Sequence, residues 1–112
     1  MTKLPRMVRL LTQRITVQTS KYIDASDVTG QHGSEAWGTY EGGEHLITIK
    51  SGQPHDRERQ TFLHENLHAI FDFAEVDGLL HDEELFVGRV TPTLLSWMRE
   101  NPSIMAYLQE KA

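Results

Sequence analysis

The chain has 112 residues, of which 38% are hydrophobic, and its formal net charge is -5 at pH 7. This length suits one domain with a single hydrophobic core, residues 1–112. Cysteine is absent, which excludes disulfides and thiolate ligands, so any metal must be bound through nitrogen or oxygen. No run of about 20 apolar residues and no signal sequence is found, so we expect a cytoplasmic protein without a membrane partner.

The first half of the chain is predicted to form strands. Residues 4–11 are expected to be a short helical or irregular lead-in, and residues 14–20 alternate in polarity as a strand does. Residues 24–34, rich in Asp, Gly and Ser, predict a loop. Residues 36–40 and 45–50 predict a β-hairpin, with paired glycines between them supplying the positive φ angles of a tight turn.

A long helix is predicted to follow the hairpin. Neither Pro nor Gly interrupts residues 56–74, and apolar residues recur there at helical spacing. Asp56 is the predicted N-cap of this helix, and Gly78 is expected to end it or to lie in the next loop.

Two further helices are predicted in the last third of the chain. One should begin near Asp82, and Pro92 within it can introduce a kink. Asn101 and Pro102 predict the start of a last helix that ends at Gln109. Strands followed by helices indicate an α+β fold in which an N-terminal strand and the hairpin pack on the first helix.

The most informative motif is HENLH at residues 64–68, within the first helix. Positions four apart lie on the same helix face, so His64 and His68 can bind one ion while Glu65 projects beside them. This is the HExxH arrangement of zinc hydrolases. The alternative is an ordinary amphipathic helix whose two histidines are solvated or hydrogen-bonded.

A catalytic zinc site needs three protein ligands and one open position. His64 and His68 supply two, and the third is predicted to be Glu84, with Glu83 and then His81 as alternatives. A carboxylate in the first turn of the second helix can face back across a short loop. Other divalent first-row ions would also suit such a site, and zinc is the predicted one.

These residues predict hydrolysis of a peptide bond. A single bound zinc ion would acidify a water molecule, and Glu65 would act as the general base. An edge strand of the hairpin could pair with an extended substrate. Four side chains are conceivable donors to the oxyanion, none of them strongly favoured, and Asp72 could orient His68. The four donors are Tyr40, His32, His45 and Tyr107.

The charge around the motif agrees with a cation site. Lys and Arg are absent between Arg59 and Arg89, whereas seven Asp and Glu residues lie there. Such a local field favours a divalent cation and disfavours a nucleic-acid backbone. We therefore expect a protein or peptide partner and no direct contact with nucleic acid.

Several segments together resemble the small ImmA/IrrE-type zinc metallopeptidases of phages and other mobile elements. The resemblance covers about residues 37–102 and is based on WGTY at 37–40, LITI at 46–49, the segment 57–70, Glu83-Glu84 and Arg89-Val90. It implies a minimal gluzincin-like fold, zinc bound by His64, His68 and Glu84, and Glu65 as the acidic residue of the motif. It also implies a phage or prophage origin and, as in some members, cleavage of a regulator. The chain departs from longer members in two ways. It has no helix-turn-helix segment, and it has Gly88 where those members often have a polar residue four positions after the ligand Glu.

Two functional hypotheses follow from this pattern. The first is a zinc-dependent peptidase, and the alternative is a non-catalytic, metal-stabilised module that binds a protein. A structural zinc site needs no general base, so Glu65 favours the enzyme. A metal-free helical interaction domain would require the motif to be a coincidence.

Overall fold

The computed structural model describes residues 2–23 and 37–112, which form a four-stranded sheet and three helices. The strands are β1 Met7–Leu10, β2 Gln13–Ser20, β3 Gly38–Glu41 and β4 Leu46–Lys50. The helices are α1 His55–Ala74, α2 Glu83–Glu100 and α3 Pro102–Gln109. The α+β class and the order of strands before helices are confirmed.

The sheet has the strand order β1-β2-β4-β3. β1 and β2 form an antiparallel hairpin, and so do β3 and β4, whereas β2 and β4 run parallel. In this order β3 is an edge strand of the described sheet, and it lies against α1. The predicted hairpin next to the motif helix is therefore present.

The hydrophobic core lies between one face of the sheet and the helices. Alternation places Val8, Leu10, Ile15 and Val17 on the buried face of the first hairpin. The second hairpin adds Ile47 and Ile49, and the helices supply Phe62, Ala69, Ile70, Trp97, Ile104 and Tyr107. One layer of helices on one face of a sheet thus positions α1 and its motif.

A buried arginine joins α3 to α1. The Arg59 Nε donates to the Tyr107 carbonyl at 3.2 Å, and its guanidinium lies 4.2 Å from the centre of the Tyr107 ring. The Tyr107 hydroxyl donates to Glu58 at 2.6 Å, so the first turns of α1 are fixed to the last helix.

The structure corrects three local predictions. The segment 4–11 contains β1, because Val8 and Leu10 pair with β2 and enter the core. The first helix begins at His55 after Pro54, so Asp56 lies in its first turn and is not its N-cap. In the β3–β4 connection the positive φ belongs to His45 at 49°, and not to a glycine.

Other boundaries agree with the sequence. Asp82 caps α2 by accepting a hydrogen bond from the Leu85 amide at 3.1 Å, and α2 continues through Pro92. α3 spans the predicted residues, with Asn101 before it and Pro102 at its first position. The predicted loop at 24–34 and residue 36 lie outside the described residues. No helix in the described ranges is long and apolar enough to cross a membrane.

Candidate metal centre

The motif residues occupy the middle of α1. The helix buries Phe62, Ala69 and Ile70 in the core. His64 and His68 lie on the exposed side, whereas Glu65 is buried at 5% exposure. The 3.6-residue period therefore separates the two imidazoles from the carboxylate while keeping them adjacent.

The two histidines converge on one point. Their Nε2 atoms are 3.2 Å apart, and the ring centroids are 4.9 Å apart in an edge-to-face arrangement. Two nitrogens bound to one tetrahedral zinc ion at about 2.0–2.1 Å would be separated by about 3.3–3.4 Å. The donor pair therefore fits a single ion. Burial and the neighbouring His64 lower the pKa of His68, which favours the neutral imidazole that binds metals.

The Glu65 carboxylate is largely shielded from solvent. Burial raises its pKa to about 7. No described residue offsets this desolvation with a hydrogen bond or an ion pair to Glu65. A buried carboxylate that no described residue pairs with is unfavourable for stability, and such groups are frequent in functional sites.

The close approach of β3 to α1 explains how Glu65 is enclosed. A Cβ on Gly38 would lie 2.8 Å from Thr61 Cγ2 and 3.1 Å from Glu65 Oε2. Only glycine leaves room for the strand at this position. The start of the edge strand therefore lies directly over the motif carboxylate.

A cleft opens beside the motif and β3. It has a volume of about 780 Å³, and its lining includes His64, Glu65, His68 and residues 39–42. The cleft is large enough for a segment of a peptide. The predicted catalytic and ligand residues of α1 thus share one cavity with the edge strand.

Tyr40 and Asp72 connect the edge strand to α1 farther along the cleft. The Tyr40 hydroxyl donates to Asp72 Oδ2 at 2.7 Å. Burial, and then this hydrogen bond, raise the pKa of Tyr40. The sequence suggested that Asp72 could orient His68, but the Asp72 carboxylate accepts from Tyr40. β3 runs alongside α1, so Gly38 lies near Glu65 and Tyr40 reaches a residue farther along the helix.

The remaining candidate oxyanion donors are separated by the fold. Tyr107 is fully buried and donates to Glu58, so it lies in the core. His45 packs against Phe73 at a centroid distance of 5.3 Å and does not line the cleft. His32 lies outside the described residues. Of the three candidates that the structure describes, Tyr40 is the one that lines the cleft.

The position of the third ligand is less defined. Glu83 and Glu84 are exposed in the first turn of α2, and His81 is exposed just before it. Within residues 2–23 and 37–112, no three His, Asp or Glu side chains gather closely enough to bind one ion. The structure brings His64 and His68 together, and Glu84 stays a prediction.

Asn66 is a residue whose role the sequence did not reveal. It is fully buried, its side-chain amide donates to the Phe62 carbonyl at 2.8 Å, and its Oδ1 accepts from Trp97 Nε1 at 3.0 Å. This contact fixes α2 to the motif turn of α1. A polar residue within an apolar helix face was the available signal, and its partner is 31 residues away.

Comparisons with protein families, with curated proteins and with solved structures found no match to this chain.

Proposed function

We propose that this protein is a zinc-dependent peptidase that hydrolyses a peptide bond of a protein substrate. The observation that carries the proposal is the 3.2 Å separation of the His64 and His68 Nε2 atoms beside the buried Glu65. Two imidazole nitrogens and an adjacent carboxylate supply two of the three metal donors and the base that metal-assisted hydrolysis uses. Glu84 is the proposed third ligand, and a phage-encoded regulator is the proposed kind of substrate.

The chain and the ion have separate tasks in this reaction. When bound, the ion would polarise the scissile carbonyl and lower the pKa of a water molecule. Glu65 accepts a proton from the attacking water on a carboxylate oxygen and delivers it to the departing amine. Its enclosure by β3 and α1 limits access of bulk water to that carboxylate, which strengthens its interactions with the reacting groups.

The edge strand supplies a way to hold the substrate. An extended segment can add to β3 by main-chain hydrogen bonds, as in other cases of β-augmentation. Because Gly38 lies over Glu65, a segment paired with β3 would run past the base and the two histidines. Cleavage would then fall where the segment passes Glu65.

The experiment is a comparison of Glu65→Gln with the wild-type chain. Glu65→Gln keeps the size of the side chain and removes the base, so it should retain zinc while losing peptidase activity by at least about 100-fold. Zinc is measured by mass spectrometry of the purified protein and activity with a fluorogenic peptide library. Glu75→Gln, at the exposed C-terminal cap of α1, is the matched control.

Three outcomes separate the hypotheses. Retained cleavage by Glu65→Gln would refute the proposed base. A wild-type protein that binds zinc without cleaving any peptide would favour the metal-stabilised binding module. A wild-type protein that binds no zinc would refute the metal site itself.

A further inference from the structure

The two ends of the edge strand β3 differ in charge. At its start, Trp37 is 46% exposed and is contacted by two cations. The Lys50 Nζ and Arg57 Cζ atoms lie 4.7 and 4.9 Å from the centre of its ring. The Arg57 guanidinium beside this exposed ring offers a favourable place for an anionic side chain of a bound peptide.

This cationic start lies next to the proposed reacting centre. Trp37 directly precedes Gly38, and the Cβ position of Gly38 is 3.1 Å from Glu65 Oε2. Arg57, in the first turn of α1, forms no ion pair with any described carboxylate. A peptide paired with β3 would therefore bring its side chains past Arg57 within one or two residues of the cleaved bond.

The other end of β3 is acidic. The strand ends at the exposed Glu41, and Asp72 and Asp77 line the cleft beyond it. Among the described residues that line the cleft, neither Lys nor Arg is present. No cation in that lining offsets the negative field at this end of the strand.

We propose that β3 selects extended peptides of one charge polarity, with an acidic side chain beside Trp37 and Arg57 and a basic side chain beside Glu41 and Asp72. This inference rests on the proposed peptidase function and names the class of segment that the site takes. Opposite charges on paired strands attract, and like charges directly opposite repel, so both ends contribute to the same preference.

The test uses two short fluorogenic peptides of identical composition in which an Asp and a Lys exchange places across the scissile bond. One of the two matches the charges of β3 in whichever direction the peptide runs. We expect the wild-type chain to cleave the matching peptide with a kcat/KM roughly threefold to tenfold higher, as surface charge pairs allow. The preference should fall as ionic strength rises.

Binding is measured in parallel with the Glu65→Gln variant, by fluorescence anisotropy of the same two peptides. In both assays Arg57→Glu should abolish or reverse the preference. Arg99→Glu makes the same change in the last turn of α2, near β1 at the opposite edge of the sheet, and should leave it unaltered.

The results separate this inference from the function on which it rests. Equal cleavage and equal binding of the two peptides would overturn the charge polarity while leaving the peptidase intact. Absence of cleavage of any peptide would refute the peptidase, and the binding assay would still decide the polarity. A preference that survives Arg57→Glu would overturn the assigned subsite, as would failure of both peptides to bind.

Discussion

Glu65 is buried because residue 38 of the neighbouring strand has no side chain. Gly38→Ala should push β3 and Glu65 apart, since the added Cβ would lie 2.8 Å from Thr61 Cγ2. We expect a destabilisation of about 1–3 kcal/mol, typical of overpacking, and loss of peptidase activity without loss of zinc. Urea unfolding, zinc content and activity are the measurements.

The chain offers a matched control for this substitution. A Cβ on Gly43, in the β3–β4 connection, would meet no atom within 4 Å. Gly43→Ala should therefore leave stability and activity nearly unchanged. An equal effect of the two substitutions would show that the close approach at Gly38 is unimportant.

The contact between Asn66 and Trp97 should contribute to stability and not to chemistry. Asn66→Ala leaves the buried indole N–H of Trp97 without its acceptor, and we expect a loss of about 1–3 kcal/mol. Urea unfolding of Asn66→Ala, Trp97→Phe and the double variant measures the coupling. The double variant should lose less than the sum of the two single losses, and strict additivity would contradict the contact.

At this scale the sequence identifies residues that act through local spacing. His64 and His68 converge because four residues form one turn of a helix, which the pattern alone conveys. The roles of Gly38 and Asn66 depend on contacts with other elements, and their local sequence does not predict those contacts. The bond from Tyr40 to Asp72 was missed for the same reason, since it depends on how β3 packs alongside α1.

The turn between β1 and β2 is an element under local strain. Leu11 and Thr12 both have positive φ, 49° and 67°, although neither is glycine. Their amides donate to the Glu100 carboxylate at 3.0 and 3.1 Å, so the end of α2 holds the turn. Hydrogen bonds from Ser96, Thr12 and Leu11 lower the pKa of Glu100.

This contact predicts a pH dependence of stability. Because the folded-state pKa of Glu100 lies below its unfolded value, its contribution is complete above about pH 4.5 and is lost as the pH falls through the folded pKa. Glu100→Gln should therefore lower the urea midpoint at pH 7 and have a smaller effect near pH 3. Glu44→Gln, in the exposed β3–β4 turn, is the control and should have little effect. A Glu100→Gln effect that does not change with pH would contradict the assignment.

The start of α2 is the element that should complete the metal centre. Glu84→Gln is expected to weaken zinc affinity by at least about tenfold, the lower end of the loss seen even for residues that support a ligand. Glu83→Gln and His81→Gln change the two alternative ligands and should have smaller effects. Competition with a chromogenic chelator gives the affinities, and the variant with the largest loss identifies the ligand.

At the scale of elements, patterns located the helices better than their buried faces. The start of α2 follows from Asp82, which caps it locally, and the start of α3 from Pro102 at its first position. The Asn101 side chain does not cap α3, because its amide donates to the Arg9 and Trp97 carbonyls. The buried face of α2 is not evident from its apolar residues, because Leu85, Leu95 and Met98 are exposed while Trp97 enters the core. β1 was missed because a four-residue strand depends on pairing with β2, and its own sequence is too short to indicate it.

For the whole molecule, zinc should stabilise the fold by mass action. An ion that binds only the folded chain adds about 2.7 kcal/mol at a free concentration 100 times its Kd, and we expect a Tm increase on the order of 10 °C. Calorimetry with zinc and with a chelator measures the shift. His64→Ala should remove it, and an unchanged wild-type Tm would contradict a specific site.

The parallel pairing of β2 with β4 also governs how the chain folds. Val17 pairs with Ile47, thirty residues later. The central strand pair therefore forms only when two segments that are distant in sequence meet, which requires closure of a long loop. Contacts of such sequence separation slow folding relative to helical domains of equal size. β3 joins the sheet through β4, so the cleft beside α1 is complete only after β2 and β4 have paired. A newly synthesised chain should therefore acquire the proposed hydrolytic activity at the rate of its last long-range step, well after α1 has become helical.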